Sequence, residues 1–182
     1  METPQFLQNL PKQFEPLRAF LEGSLRPYIK IHEENVGHIN EDSSNDPLTL
    51  WQSKIGGNPY FPRGLDYPTD PTTGEAMALL VQLNCADLPL IQGLDLPQQG
   101  ILQFYMGGIQ FADPAMDNSR ICTLYFPEAS QNRGDLITDF SFVNVMETIR
   151  GDYDDIYALT FSAEHDFFWL RVRGKNSNGL RI

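Results

Sequence analysis

Phe6, Leu7 and Leu10 put three apolar side chains on one short helical face near the start of the chain. Phe14, Leu17, Phe20 and Leu21 form a second face at i, i+3, i+6 and i+7. Pro11 interrupts the two runs because it cannot donate a helical N–H, and Gly23 is placed as a C-terminal stop. The spacing predicts a helix or helices within residues 1–23. Tyr28-Ile29-Lys30-Ile31-His32 alternates apolar with polar, the period of a strand. The polar stretch from Glu33 to Asp46, closing on Asn40-Glu41-Asp42-Ser43-Ser44-Asn45-Asp46, reads as a solvated loop with almost nothing to bury.

From Pro47 to Pro71 the pattern changes. Pro59, Pro62 and Pro68 with Gly56, Gly57 and Gly64 exclude long regular elements, yet Trp51, Tyr60, Phe61 and Tyr67 lie in the same stretch. A loop carrying that much aromatic surface is expected to pack. Strand-like runs follow at Met77 to Leu83, Gly100 to Met106, Ile121 to Phe126, Ile137 to Val143, Ile156 to Phe161 and Phe167 to Val172. Turn formers such as Asp113-Pro114 and Asn132-Arg133-Gly134-Asp135 separate them.

This order gives an α+β fold: an N-terminal helix or helices, then a mostly antiparallel β-sheet with long packed loops. Strands do not alternate with helical patterns, so a doubly wound parallel sheet is the weaker choice. The likeness between Leu79 to Pro89 and Leu102 to Pro114 is too loose for a repeat. One domain over residues 1–182 is expected, with a helical segment at 1–23 and a sheet-rich body at 27–173.

The chain has 182 residues, with 13 Lys and Arg against 24 Asp and Glu, for a net charge of −11. That balance argues against nucleic acid and anionic membranes as partners, since both require surplus positive charge facing phosphate. A hydrophobic fraction of 41% and an aromatic fraction of 12% argue against disorder. Met-Glu-Thr-Pro-Gln lacks the basic and apolar regions of a signal peptide, and no run is long enough to span a membrane. A cytoplasmic location is expected, with Cys85 and Cys122 as reduced, buried small hydrophobes.

Several chemistries lack their motifs. No P-loop, GxGxxG or GxSxG is present. Cys85 or Cys122 meeting His32 or His165 is formally possible, but buried structural cysteine is the better reading. His32 and His38 flank a sequence in which Val36 stands where a zincin needs histidine. On an extended strand His32, Glu34 and His38 would share a face, yet exposed histidines in a polar loop are the preferred reading. Asp152, Asp154 and Asp155 fail the EF-hand pattern at Ile156, Tyr157 and Ala163 and read as a solvated acidic turn. Glu164-His165-Asp166 is a commonplace loop triplet. No metal, cofactor or catalytic residue is assigned.

Ser53 to Gly64 is the one locally basic stretch. Gly56 and Gly57 permit a tight turn and close backbone approach, and Lys54 and Arg63 add positive charge, the makeup of an anion-accepting loop. The competing reading is a purely structural fold-back over the sheet. Strand alternation puts Gln82 and Asn84 on one face, opposite Val81, Leu83 and Cys85. The candidate ligand-binding residues are therefore Lys54, Gly56, Gly57, Tyr60, Arg63, Gln82 and Asn84.

Three blocks in order carry a family resemblance: Ser-Lys-Ile-Gly-Gly-x-Pro-Tyr-Phe-Pro at 53–62; Ala78-Leu79-Leu80-Val81-Gln82-Leu83-Asn84 leading to Leu88-Pro89; and Pro97-x-x-Gly100-Ile101-Leu102-Gln103-Phe104-Tyr105. Over about residues 27–126 the sequence resembles the YwqG-like family of bacterial proteins, a domain of unknown function. The resemblance implies an α+β fold and bacterial origin, with either a shortened member or a last stretch that folds differently from the family, and it supplies no catalytic residues. Two functions are open. One is a non-enzymatic protein-interaction or immunity-type module whose acidic surface meets a basic partner protein. The other is a protein or enzyme that binds an anionic small molecule through the Ser53–Gly64 loop and the Gln82 strand. The sequence leaves the oligomeric state open.

Overall fold

A computed structural model describes residues 5–38, 46–107, 120–143 and 155–167. The chain divides into two compact units, residues 1–28 with 163–182 and residues 29–162. In the first unit, α1 (Gln5–Gln8) is a single turn, a 3-10 segment spans Lys12–Leu17, and α2 (Arg18–Ser24) is the one α-helix longer than a turn among the described residues. The expected helical segment is thus reduced to one short helix. Pro11 and Pro16 both lack the N–H that α-helical bonding over residues 11–17 would need. Gly23 does not stop α2. It lies inside the helix, and the Leu25 N–H closes the end on Glu22 O. Phe14, Leu17 and Phe20 are exposed rather than forming a buried stripe.

The strands are β1 (Leu25–His38), β2 (Lys54–Ile55), β3 (Ala78–Asn84), β4 (Ile101–Met106), β5 (Ile121–Phe126) and β6 (Asp155–Phe167). They form one sheet in the order β1-β6-β2-β3-β4-β5. The β6–β2, β2–β3, β3–β4 and β4–β5 pairs are antiparallel. No described helix is long and apolar enough to cross a membrane.

Three sequence expectations change here. β1 continues through Glu33 to His38, a stretch expected to be loop, because an edge strand can use backbone pairing with little apolar burial; Glu33, Glu34 and His38 are exposed. The expected strand at Ile137 to Val143 is irregular. Leu136 makes an isolated bridge to Pro62, while Leu136 and Phe140 enter the core individually. β6 is continuous from Asp155 to Phe167, so Glu164, His165 and Asp166 lie on a strand. The remainder of the expected Phe167–Val172 strand, Asp113-Pro114 and Asp152 to Asp154 lie outside the described residues.

Pleat and register set the core of the second unit. Ile101, Gln103 and Tyr105 of β4 are buried on one face, and Leu102, Phe104 and Met106 are half-buried on the other. In β3 a bulge between Leu79 and Val81 shifts the register: Leu79 pairs with Tyr105 and Gln82 with Gln103. Two residues three apart thereby share the buried face, which regular alternation forbids. The aromatic loop covers this face. Leu50, Tyr60, Phe61, Ile101, Leu136 and Phe140 form one cluster, and Met77, Leu79 and Tyr105 another. Tyr60 and Phe61 each meet Phe126 edge-on, and Tyr67 meets Tyr105 in the same way. Each of these rings contributes about 2 kcal/mol or more through burial, which holds a loop without regular structure against the sheet.

Candidate functional site

Lys54 opens the two-residue β2, between Ala158 of β6 and Gln82 of β3. Its side chain is wholly buried, and Nζ lies 2.9 Å from Asp46 Oδ2 and 2.9 Å from the Asn58 carbonyl oxygen. The same carboxylate oxygen accepts the Asn58 N–H at 2.7 Å, and Oδ1 accepts the Leu48 N–H at 2.8 Å. Burial lowers the Lys54 pKa from its ordinary value, and the charge and hydrogen bond of Asp46 oppose that shift.

The paired glycines accommodate this carboxylate. Gly56 and Gly57 have φ of 67° and 69°, in the left-handed region. A Cβ on Gly57 would stand 2.5 Å from Asp46 Oδ2. The basic, glycine-rich loop does accept an anion, and that anion belongs to the chain itself. Asp46, expected at the end of a solvated loop, is instead the buried counter-ion of Lys54.

Gln82 is the second centre. Its Oε1 accepts the Tyr60 N–H at 2.8 Å, and Nε2 donates to the carbonyls of Leu50 and Gln52, each at 2.8 Å. Gln103 Nε2 donates to Gln82 Oε1 and to Tyr60 O, both at 2.7 Å, and Tyr105 Oη donates to Gln103 Oε1 at 3.0 Å. Register aligns Ala158, Lys54, Gln82, Gln103 and Leu124 across five strands. A polar row therefore crosses the buried face of the sheet. Its two amides replace the backbone partners that the irregular 50–60 segment could not find in a ladder.

The candidate residues separate accordingly. Lys54, Gly56, Gly57, Tyr60 and Gln82 belong to this internal arrangement. Asn84 ends β3, where its side-chain oxygen accepts the Ala86 N–H and its own N–H bonds Ser53 Oγ. Arg63 is exposed, and its backbone N–H bonds Asp135 O. Lys54, Arg63, Gln82 and Asn84 do not present four free side chains to one ligand. Asp46, Gln103 and Tyr105 are members that sequence reasoning missed. Gln103 carried a signal, a lone amide in an otherwise apolar strand, as did Gln82.

Other reactive groups have partners as well. Asp70 is buried: Oδ1 accepts the Thr72 N–H at 2.7 Å, and Oδ2 lies 3.5 Å from Arg120 Nε. Cys85 is a buried free thiol and Cys122 a half-buried one. His32 Nε2 is 2.8 Å from Ser162 Oγ, and His38 Nδ1 contacts Asp155. Among the described residues no three His, Cys, Asp or Glu side chains cluster as a metal site would require.

Residues 53–175, two thirds of the chain, match the family described as Domain of unknown function (DUF1963). The chain belongs to the DUF1963 family. Its matched region opens on Ser53, one residue before the buried Lys54, and contains Gly56, Gly57, Gln82, Gln103 and Tyr105. The internal polar row of this DUF1963 chain is thus drawn from the matched region, whereas Asp46 lies seven residues before it. No curated protein matches the chain.

Proposed function

We propose that the chain is a non-enzymatic protein-interaction module, of the kind that serves immunity proteins, and that its acidic surface recognises a basic partner protein. The YwqG-like resemblance supports a bacterial setting for such a module. One observation carries the reading: the exposed charge is strongly one-sided, and the only buried lysine among the described residues is matched by Asp46 and does not alter that balance. In the described part of the second unit, nine exposed acidic residues (Glu33, Glu34, Asp66, Glu75, Asp87, Asp95, Glu128, Asp135 and Asp139) face three exposed basic ones (Lys30, Arg63 and Arg133). Such a field accelerates encounter with a cationic protein and repels polyanions. The alternative, an anionic small molecule held by the Ser53–Gly64 loop, requires Lys54 to release Asp46.

The test is affinity purification of the tagged chain from its source cell at low salt and at about 0.5 M salt, where surface charges are screened within a few ångströms. A basic protein recovered only at low salt, and lost when Glu33 and Glu34 are both changed to Lys, is the expected result. Recovery of no salt-sensitive basic protein overturns the proposal.

A further inference from the structure

The second unit holds two of the chain's three histidines, and both lie on β1. His32 and His38 bracket Glu33 and Glu34, and all four side chains are exposed. Lys30 stands two positions before His32 on the same strand face, and Glu34 two positions after it. From β6, Ser162 Oγ meets His32 Nε2 at 2.8 Å. Asp155 Oδ1 accepts from His38 Nδ1, while its Oδ2 accepts the Asn35 amide at 2.7 Å and the Tyr157 hydroxyl at 3.1 Å. The hydrogen bond to Asp155 raises the Tyr157 pKa, and among the lesser causes is the charge of Glu33, so both carboxylates act on one point of the surface. Pro47 approaches Gly37 from the 46–54 segment, whose Asp46 and Lys54 are paired with each other.

We propose that His32 and His38 are a pH gate on the acidic surface: as pH falls through the range in which imidazole takes up a proton, their two charges cancel the local field around Glu33 and Glu34 and release a basic partner. The inference rests on the acidic-surface reading above and adds its regulation. Over residues 29–38 and 155–162, Glu33, Glu34 and Asp155 stand against Lys30, a balance of 1 − 3 = −2. Two imidazolium charges bring it to −2 + 2 = 0. Histidine is the side chain that ordinarily changes charge between about pH 5 and 8, whereas carboxylates ordinarily stay ionised there. The change in field is therefore centred on this part of β1.

Neither ring has to break its contact to take the proton. An Nδ1–H donates to Asp155 in a neutral tautomer and in the imidazolium alike, and the Ser162 hydroxyl rotates to donate to Nε2 or to accept from it. The two strands stay paired and only the charge changes.

Binding of a fluorescent octalysine peptide to the full chain at low salt tests the gate, at about pH 7.5 and about pH 5.5, either side of the ordinary imidazole range. The expected result is binding about fivefold weaker at the lower pH, the size of two surface ion pairs. His32→Gln combined with His38→Asn keeps a hydrogen-bonding nitrogen at each position without a titrating charge, and should reduce the change to less than about twofold. His32→Lys combined with His38→Lys should weaken binding at the higher pH to the unmodified chain's level at the lower. A Gln and Asn variant that keeps the full pH dependence overturns the proposal, and so does equal binding by the unmodified chain at both pH values; the acidic-surface reading survives either result. Loss of the β-sheet circular dichroism signal at the lower pH overturns the gate as well, since release would then be unfolding. Absence of octalysine binding at the higher pH refutes the acidic-surface reading itself, and the gate with it.

Discussion

The Lys54 ammonium and the Asp46 carboxylate meet at 2.9 Å with 0% and 5% of their side chains exposed. A buried pair of this kind contributes modestly as a pair, because desolvation offsets much of the attraction, but removing either member strands a charge. Asp46→Ala should therefore destabilise the protein by about 3–5 kcal/mol, and adding Lys54→Met should recover part of that loss. Urea unfolding measures both. Equal stability of the single and double variants would show that the pair does not act as a unit.

Arg63 provides the contrast within the same loop. It is exposed, so Arg63→Ala should change stability by no more than about 0.5 kcal/mol, whereas Lys54→Ala should cost several times that. Thermal melts of the two variants side by side test whether the two cations of this loop have separate roles.

Gly57 and Gly64 both have positive φ, but their surroundings differ. A Cβ at Gly57 meets the Asp46 carboxylate, while one at Gly64 meets nothing within 4 Å. Gly64→Ala should cost about 1 kcal/mol from backbone strain alone. Gly57→Ala should cost roughly 2 kcal/mol more, since it also displaces the counter-ion of a buried lysine.

Gln82→Leu retains bulk but removes the partners of the Tyr60 N–H, the Leu50 and Gln52 carbonyls and Gln103. A loss of about 3 kcal/mol or more is expected, because several buried groups are left unpaired together. Trp51, next to Gln52 in the released segment, should shift its fluorescence before global unfolding.

Alkaline stability has two opposing limbs. Burial raises the pKa of Tyr67 and Tyr105 far above the ordinary 10.0. The unfolded chain loses these protons first, so their contribution is complete below pH 10 and declines as pH rises beyond it. Burial lowers Lys54 below 10.5, so in the window just under 10.5 the unfolded chain holds more protons and this contribution rises with pH. Tyrosinate absorbance should show Tyr67 and Tyr105 silent until the chain unfolds, and Tyr67→Phe should flatten the falling limb. Tyrosinate signal from all tyrosines before any loss of circular dichroism would refute the assignment.

Strands with strong local pattern were legible in the sequence. β3, β4 and β5 lie within one residue of the expected runs because alternation, β-branched residues and flanking turn formers agree there. The aromatic loop was legible as packed for a similar reason, since its rings had to be buried somewhere. The Ile137–Val143 segment deceived because an apolar run reports burial rather than hydrogen-bonding geometry. β1 deceived in the other direction, because a strand at a sheet edge needs no apolar stripe.

The sequence by itself determined a mostly antiparallel sheet, the positions of β3, β4 and β5 along the chain and the presence of a glycine-rich loop able to accept an anion. These follow from composition and short-range periodicity. Only the tertiary structure decided which anion that is. Asp46 reaches Lys54 across a turn, and whether its charge faces water or an ammonium group depends on where the loop lies over the sheet. The bulge that places Leu79 and Gln82 on one face, and the register that aligns Lys54, Gln82 and Gln103, are likewise products of pairing between distant strands, which local sequence does not encode.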